Sequence, residues 1–187
     1  NLLGRKSLKR DIKMVNNIFE YLIVRGGIVG NNNQLRLFRK IDFSMYPARA
    51  FAITLHEIKD NKGLDYLKNL GKLMGESAAT AFKNAMDKMK SLIKKDYQTI
   101  NNLIEISGFG KIGEFIEDDK KFIIRIKDHS VIAPSKKLYG NNSPVCSFYG
   151  EIFGAYIRVF KNLKKLKITH TKCGCNNNEF CEWVFEK

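Results

Sequence analysis

The side chains best suited to chemistry in this 187-residue chain are four cysteines near its C-terminal end. Cys173, Cys175 and Cys181 lie within nine positions of one another, and Cys146 precedes them. Zinc prefers four soft or borderline ligands in a tetrahedron. Disulfide scaffolds instead spread their cysteines through a short secreted chain, so a terminal cluster is more typical of a metal site. The sequence therefore predicts a structural zinc site in place of free buried cysteines.

Five soft side chains compete for the four ligand positions, because His170 lies three residues before Cys173. One ligand set consists of Cys146, His170, Cys173 and Cys181, and the other has Cys175 in place of His170. His170 and Cys173 bracket the end of a predicted strand and Cys181 opens the next, so these three converge at the mouth of a hairpin. Cys175 lies in a Gly- and Asn-rich turn that can point it at solvent. We therefore predict the first set, and the alternative role for Cys175 is a thiol activated by nearby lysines.

Hydrophobic periodicity predicts the elements that must position these side chains. Apolar residues at steps of three and four predict helices over residues 7–25, 47–60, 64–94, 96–107 and 144–161. Alternating apolar and β-branched residues predict strands at 35–38, 111–117, 121–127, 166–171 and 179–185, with 131–133 a short strand or a connector. The sequence thus predicts an α+β fold with helices packed on a mainly antiparallel sheet and a C-terminal zinc-binding hairpin.

Composition and charge limit the possible classes of protein. Hydrophobic residues make up 44% of the chain and charged residues 28%, which is typical of a globular domain. We expect residues 1–44, a helix and a strand, to join the core formed by residues 45–187. No apolar run reaches the roughly 18–20 residues of a membrane span, and the start has no signal-peptide pattern, so we expect a cytoplasmic protein without a membrane span.

The net charge of +14 suggests a second class of function. The predicted N-terminal helix is basic, and a second basic run extends from Arg158 to Lys172 without an acidic residue. Such charges can neutralise nucleic-acid phosphates, so a nucleic-acid-binding regulator that uses the N-terminal helix is an alternative hypothesis. Neither a helix-turn-helix nor an aromatic platform accompanies the basic runs, and a solvated surface is the simpler interpretation.

The spacing of the C-terminal residues resembles the 4-vinyl reductase (4VR) domain family. The pattern consists of Pro144 and Cys146, Gly150 and Gly154, a strand, and then His170, Cys173 and Cys181. Upstream, Tyr46-Pro47-Ala48-Arg49 before two helices and the Phe109-Gly110-Lys111 strand entry fit the front and middle of that domain, so the resemblance covers about residues 45–187. His170 stands where the family usually has Glu, and His is an equally good zinc ligand.

This resemblance implies a small-molecule-binding or sensory domain with a structural zinc and an apolar pocket among its helices. Leu70 and Phe82 on the long helix and Phe148 and Phe153 on the Cys146 helix are predicted to line that pocket. A homodimer is predicted from the resemblance and from two small-residue helix faces, Gly71 with Gly75 and Gly150 with Gly154.

The sequence contains no recognisable catalytic constellation. A P-loop, a nucleophile elbow and a dinucleotide-binding glycine motif are all absent. Of the remaining histidines, His56 and His129 are interpreted as satisfied residues at the surface or partly buried, and Asp118-Asp119 is interpreted as a hairpin turn. We assign no catalytic residues and rank a tetrapyrrole-related reductase below a binding domain.

Overall fold

A computed structural model of the protein describes residues 28–31, 34–37, 41–43, 46–88, 101, 104–105, 107–141, 143–176 and 178–187. The chain divides into two compact units, Asn1–Met45 and Tyr46–Lys187. The predicted helix over residues 7–25 lies outside the described residues. That residues 1–44 join the core stays a prediction.

The described part of the first unit is a small antiparallel sheet. It consists of β1 (Ile28–Asn31), β2 (Gln34–Leu37) and β3 (Ile41–Phe43), in the order β1-β2-β3. Strand β2 corresponds to the strand predicted at 35–38. Gly30 and Asn31 are residue types typical of turns, but both belong to β1, in which Val29 pairs with Arg36.

The second unit packs helices on a sheet of antiparallel strands in the order β4-β5-β7-β6. Its elements are α1 (Ala48–Lys62), α2 (Leu64–Lys88), β4 (Lys111–Glu117), β5 (Lys121–Lys127), α3 (Ile132–Tyr139), α4 (Val145–Lys161), β6 (Lys167–Lys172), a 3-10 turn (Gly174–Asn176) and β7 (Cys181–Glu186). The predicted α+β class is therefore confirmed. The part of the predicted 64–94 helix beyond residue 88 lies outside the described residues.

The β4–β5 hairpin has the predicted boundaries, and the side chains of β5 alternate strictly between half-buried and buried. Phe122, Ile124 and Ile126 are buried on the face of β5 that packs on the core. At the turn, the Asp118 carboxylate accepts hydrogen bonds from the backbone N–H groups of Lys120 and Lys121, both at 2.8 Å. Asp side chains favour turns because they accept hydrogen bonds from nearby backbone N–H groups. These two bonds hold the turn that sets the register of the hairpin.

The segment predicted as a short strand or connector, residues 131–133, instead begins helix α3. Val131 and Ile132 favour a strand locally because they are β-branched. Pro134 lies in the first turn of α3, where its missing N–H has no helical partner to lose. Val131 and Ile132 are both buried, so tertiary packing determines the structure of this segment.

Helices α2 and α4 run parallel and come unusually close. A Cβ on Gly71 would lie 2.5 Å from the Phe148 carbonyl oxygen, and one on Gly75 would lie 2.8 Å from the Ile152 Cα. On the opposite face of α4, Cβ atoms on Gly150 and Gly154 would meet Trp183 and Ile168 of the sheet at 2.8 and 2.5 Å. Both small-residue faces are therefore covered within the chain, and they do not support the predicted homodimer.

Substituting Gly75 tests the close helix contact. A methyl group in Gly75→Ala has no room between the two helices, so we expect a loss of roughly 1–2 kcal/mol in the free energy of unfolding, net of the better helix propensity of Ala. Ser77→Ala is the matched control, because Ser77 is exposed on the same helix and should change stability little. Urea unfolding of both variants gives the two values. Equal stability of the two variants would contradict the packing described.

Candidate functional site

Four predicted ligands converge where α4, β6 and β7 meet. Cys146 lies in the first turn of α4, His170 lies in β6, Cys173 follows β6 and Cys181 begins β7. One ligand atom from each residue lies within 4.8 Å of the others. The 3-10 turn carries the chain back from β6 to β7, and this reversal brings the last two cysteines together.

The spacing of these atoms matches the needs of a tetrahedral ion. The Cys146 sulfur lies 3.4 Å from the Cys173 sulfur and 3.9 Å from the Cys181 sulfur. A zinc ion with bonds of about 2.3 Å to sulfur requires neighbouring sulfurs roughly 3.8 Å apart. In addition, Nε2 of His170 is buried without a hydrogen-bond partner, which is costly unless another group binds it. The donor set therefore fits a zinc ion.

Hydrogen bonds prepare two of the sulfurs to act as anionic ligands. The backbone N–H of Cys175 donates to the Cys173 sulfur at 3.3 Å, and that of Gly174 donates to the Cys181 sulfur at 3.1 Å. Hydrogen bonds from the Cys146, Cys175 and Cys181 thiols, together with the Cys175 N–H, lower the pKa of Cys173. Metals bind thiolates, so this environment favours the form of Cys173 that binds a metal.

Trp183 supports the site from the sheet side. Its ring stacks on His170 at a centroid distance of 5.1 Å, and its indole N–H donates to the Cys146 carbonyl at 2.9 Å. One fully buried side chain thus contacts two of the four predicted ligands. Such outer contacts orient metal ligands and hold them in place.

The structure corrects the prediction that Cys175 points at solvent. Cys175 is 0% exposed. The 3-10 turn, closed by the Asn176 N–H to the Cys173 carbonyl at 2.9 Å, directs the thiol inward toward the Cys146 and Cys173 thiols. Because this turn packs against α3, its Gly and Asn content does not expose the cysteine between them.

The predicted pocket residues fall into two groups. Phe148 and Phe153 both contact Tyr149, with ring centroids 5.3 and 6.1 Å apart. Phe82 instead contacts Tyr156, further along α4. Leu70 lies twelve residues before Phe82 on α2, roughly 18 Å along a helix axis, so these two side chains do not share one small pocket.

His129 belongs to an aromatic cluster, which we define as Phe109, His129, Tyr149 and Phe153. The His129 and Phe109 rings lie 4.2 and 5.0 Å from the Tyr149 ring, and Phe109 lies 5.9 Å from Phe153. His129 is 6% exposed. Its Nδ1 accepts the Val131 N–H at 3.3 Å, whereas its Nε2 is buried without a partner.

The interpretation of His129 as a satisfied residue at or near the surface is therefore wrong. Asp128 adopts a left-handed backbone conformation, with φ of 52°, directly after β5. This turn directs His129 into the core. In the sequence, only the Asp128-His129 pair directly after a predicted strand points to the burial of His129, and this signal is weak. In contrast, His56 is buried and satisfied, since its Nε2 lies 2.9 and 3.0 Å from the Ser135 and Ser143 hydroxyls.

Burial of His129 predicts a dependence of stability on pH. Desolvation lowers the pKa of His129 to about 3, whereas an unfolded histidine has a pKa near 6.5. Above pH 6.5 both states are neutral. As the pH falls toward 3 only the unfolded state gains the proton, so stability falls by about 1.4 kcal/mol per pH unit. Between pH 7.5 and 5.0 the wild-type protein should lose about 2 kcal/mol more than His129→Phe, as measured by urea unfolding. An identical loss in both proteins would contradict the burial of His129.

Comparisons with known proteins place the fold among solved structures. No family model matches the chain, and no curated protein matches it in sequence. The phenol-responsive sensory domain of the transcription activator PoxR, solved with phenol, is similar with a TM-score of 0.68 and 13% sequence identity, over 88% of this chain and 86% of that domain. Subunit 3 of a trafficking protein particle complex from Naegleria fowleri, covalently bound to palmitic acid, matches with a TM-score of 0.44 and 15% identity, over 74% and 93% of the two chains.

Among the described residues, no helix is both long and apolar enough to cross a membrane.

Proposed function

We propose that residues 46–187 form a sensory domain that binds a small aromatic molecule and contains a structural zinc ion. The observation that carries this proposal is the unpartnered Nε2 of His129 inside the aromatic cluster. A buried polar atom without a partner costs free energy, and a ligand that pairs with it recovers that cost. The fold shared with the phenol-responsive domain of PoxR supports the same class of function.

The chemistry of the cluster indicates what the ligand must offer. Because Nδ1 of His129 accepts the Val131 N–H, the neutral ring carries its proton on Nε2 and acts as a donor there. The ligand therefore needs an acceptor oxygen, such as a phenolic hydroxyl or a carbonyl. Tyr149 and Phe153 offer ring faces and edges to an aromatic body. We place Phe148 and Phe153 at this site and assign neither Phe82 nor Leu70 to it, because Phe82 contacts Tyr156 further along α4.

The zinc ion would have a structural role. Cys146, His170, Cys173 and Cys181 would fill all four positions of a tetrahedron, and a closed site leaves no position for a substrate. The four cysteines are free thiols, which supports a reducing compartment such as the cytoplasm. The homodimer rests on the 4VR resemblance alone, and the basic N-terminal helix of the nucleic-acid hypothesis lies outside the described residues.

Binding of phenol, as the probe, tests the proposed function. Phenol titrated into the wild-type protein by calorimetry should bind, and His129→Phe should weaken binding by about tenfold, because the variant keeps the ring but loses the donor. Phe82→Leu, a change on α2 beside Tyr156 and away from the aromatic cluster, is the matched control and should leave the affinity unchanged. Failure of the wild-type protein to bind phenol, cresols or neutral aromatic ketones would contradict the proposal. An unchanged affinity in His129→Phe would also contradict it.

A further inference from the structure

Two of the proposed metal ligands, Cys146 and Cys173, have their sulfurs in contact. These two sulfurs lie 3.4 Å apart, whereas the Cys146 sulfur lies 3.9 Å from the Cys181 sulfur. A disulfide requires sulfurs about 2.05 Å apart, so Cys173 is nearer than Cys181 to bonding distance from Cys146. Both residues are free thiols. The arrangement that suits a metal therefore also suits a covalent link between Cys146 and Cys173.

Exposure distinguishes Cys173 from the other two cysteine ligands. Cys173 is 8% exposed, against 1% for Cys146 and 2% for Cys181. The backbone N–H of Cys175 donates to the Cys173 sulfur at 3.3 Å. Such a bond stabilises the thiolate, which is the form of cysteine that attacks an oxidant. Of the three cysteine ligands, Cys173 is therefore the one that a small oxidant reaches first.

The backbone at Cys173 also favours this pair. Cys173 lies between the end of β6 and the 3-10 turn, and it is not paired in the sheet. Cys181, in contrast, pairs with Ile126 in the ladder between β5 and β7. A movement of Cys173 toward the first turn of α4 disturbs no ladder pair, whereas the same movement of Cys181 disturbs the pairing of β7 with β5.

We propose that Cys146 and Cys173 form a redox pair whose oxidation to a disulfide releases the metal. The metal part of this proposal rests on the proposed zinc set, in which both cysteines are ligands. The disulfide would take two of the four ligands away from the ion and leave His170 and Cys181. Two ligands hold zinc far more weakly than a closed tetrahedral site, so oxidation would empty the site. In a reducing compartment such disulfides are transient and typical of redox sensing.

A peroxide is the oxidant that the reaction requires, and it must be small because both thiols are buried. The Cys173 thiolate attacks one oxygen of hydrogen peroxide, so an S–O bond forms, the O–O bond breaks and hydroxide leaves. The Cys146 thiolate then attacks the Cys173 sulfur, so the S–S bond forms, the S–O bond breaks and a second hydroxide leaves. Two protons from solvent convert the two hydroxides to water. In total the two thiolates lose two electrons, one peroxide becomes two waters, and the zinc ion leaves with its charge unchanged.

Peroxide treatment of the full chain tests this proposal. Atomic emission first measures the metal content of untreated protein, and this step tests the zinc set separately. Hydrogen peroxide is then added, and a chromophoric chelator follows the metal released. Non-reducing peptide mapping by mass spectrometry locates the disulfide, and cleavage after Glu179 separates Cys181 from Cys173. We expect one Cys146–Cys173 link, a mass about 2 Da below that of the reduced chain, release of the metal as the link forms, and recovery of metal binding after a thiol reductant and added zinc.

Substitution by histidine separates this pair from general oxidation of the cluster, because His can bind zinc but cannot form a disulfide. Cys146→His removes the pair and should release the metal at least about tenfold more slowly under peroxide. Cys181→His is the matched control, since it also exchanges one ligand but keeps the pair, and it should release the metal at the wild-type rate. Cys175→Ser should also release it at that rate, and in this variant only Cys173 and Cys181 remain to link with Cys146.

Three results would overturn the proposal. The first is a main disulfide that includes Cys175 or Cys181, and the second is a Cys146–Cys173 link that forms while the metal stays bound. The third is an equal rate of release in Cys146→His and Cys181→His. Where a His variant does not fold, the link found in the wild type and in Cys175→Ser decides. If the untreated protein contains no metal, the zinc proposal fails, and the peptide map alone then decides whether the redox pair exists.

Discussion

Removal of the metal is expected to lower the free energy of unfolding by at least about 3 kcal/mol, which corresponds to a fall of roughly 6–12 °C in Tm for a domain of this size. The four proposed ligands come from α4, β6 and β7, so the ion would hold together elements that are far apart in sequence. Without the metal, the folded protein would keep the ligand thiols and Nε2 of His170 buried with no ion bound to them, which lowers the stability of the folded state. Calorimetric scans before and after chelation measure the effect.

Substitution of single ligands distinguishes the two possible ligand sets. Cys173→Ser should not bind the metal, and its free energy of unfolding should fall by the same amount as on metal removal. His170→Ala should show the same two effects. Cys175→Ser should keep a full complement of zinc and lose no more than about 1 kcal/mol, because it removes a buried thiol but no ligand. Full zinc in His170→Ala together with none in Cys175→Ser would contradict our set and favour the all-cysteine set.

Trp183→Ala is the second substitution with a large expected effect. Trp183 is fully buried, packs edge-on against Phe153 at 5.1 Å and stacks on His170. Truncation leaves a large cavity in the core, and losses for such changes are about 3–5 kcal/mol. The same change removes the N–H that binds the Cys146 carbonyl, so the metal affinity should fall as well.

Trp183→Phe separates packing from the hydrogen bond. Phe keeps an aromatic ring in the core but removes the indole N–H that donates to the Cys146 carbonyl, and the loss of such a hydrogen bond costs about 1 kcal/mol. Chemical unfolding with metal present and absent gives the stability of both variants, and competition with a chelator gives their zinc affinity. A Trp183→Ala protein with wild-type stability would show that the core described here is wrong.

Elements with a strict local pattern could be predicted from the sequence. The β4–β5 hairpin was predicted to the residue, because the side chains of β5 alternate between half-buried and buried and Asp118 favours the turn. Helices α1, α2 and α4 followed from their apolar spacing to within a few residues at each described end. The convergence of the four predicted ligands also followed from sequence, since strand ends and hairpin mouths bring such positions together.

Features that depend on tertiary packing could not be predicted. Residues 131–133 have a strand-like composition, yet burial and Pro134 make them the start of α3. Cys175 lies among residues typical of an exposed turn, but that turn packs against α3 and its thiol is buried. The burial of His129 depends on the left-handed conformation of Asp128, and a single sequence does not reveal such a conformation.

The position of β7 in the sheet has a consequence for folding during synthesis. β7 follows β5 and β6 in the sequence, but it lies between them in the sheet and pairs with both. A growing chain therefore presents β5 and β6 with open edges until residues 181–186 leave the ribosome. Because unpaired strand edges promote aggregation, the nascent domain depends on β7 to protect both neighbours at once.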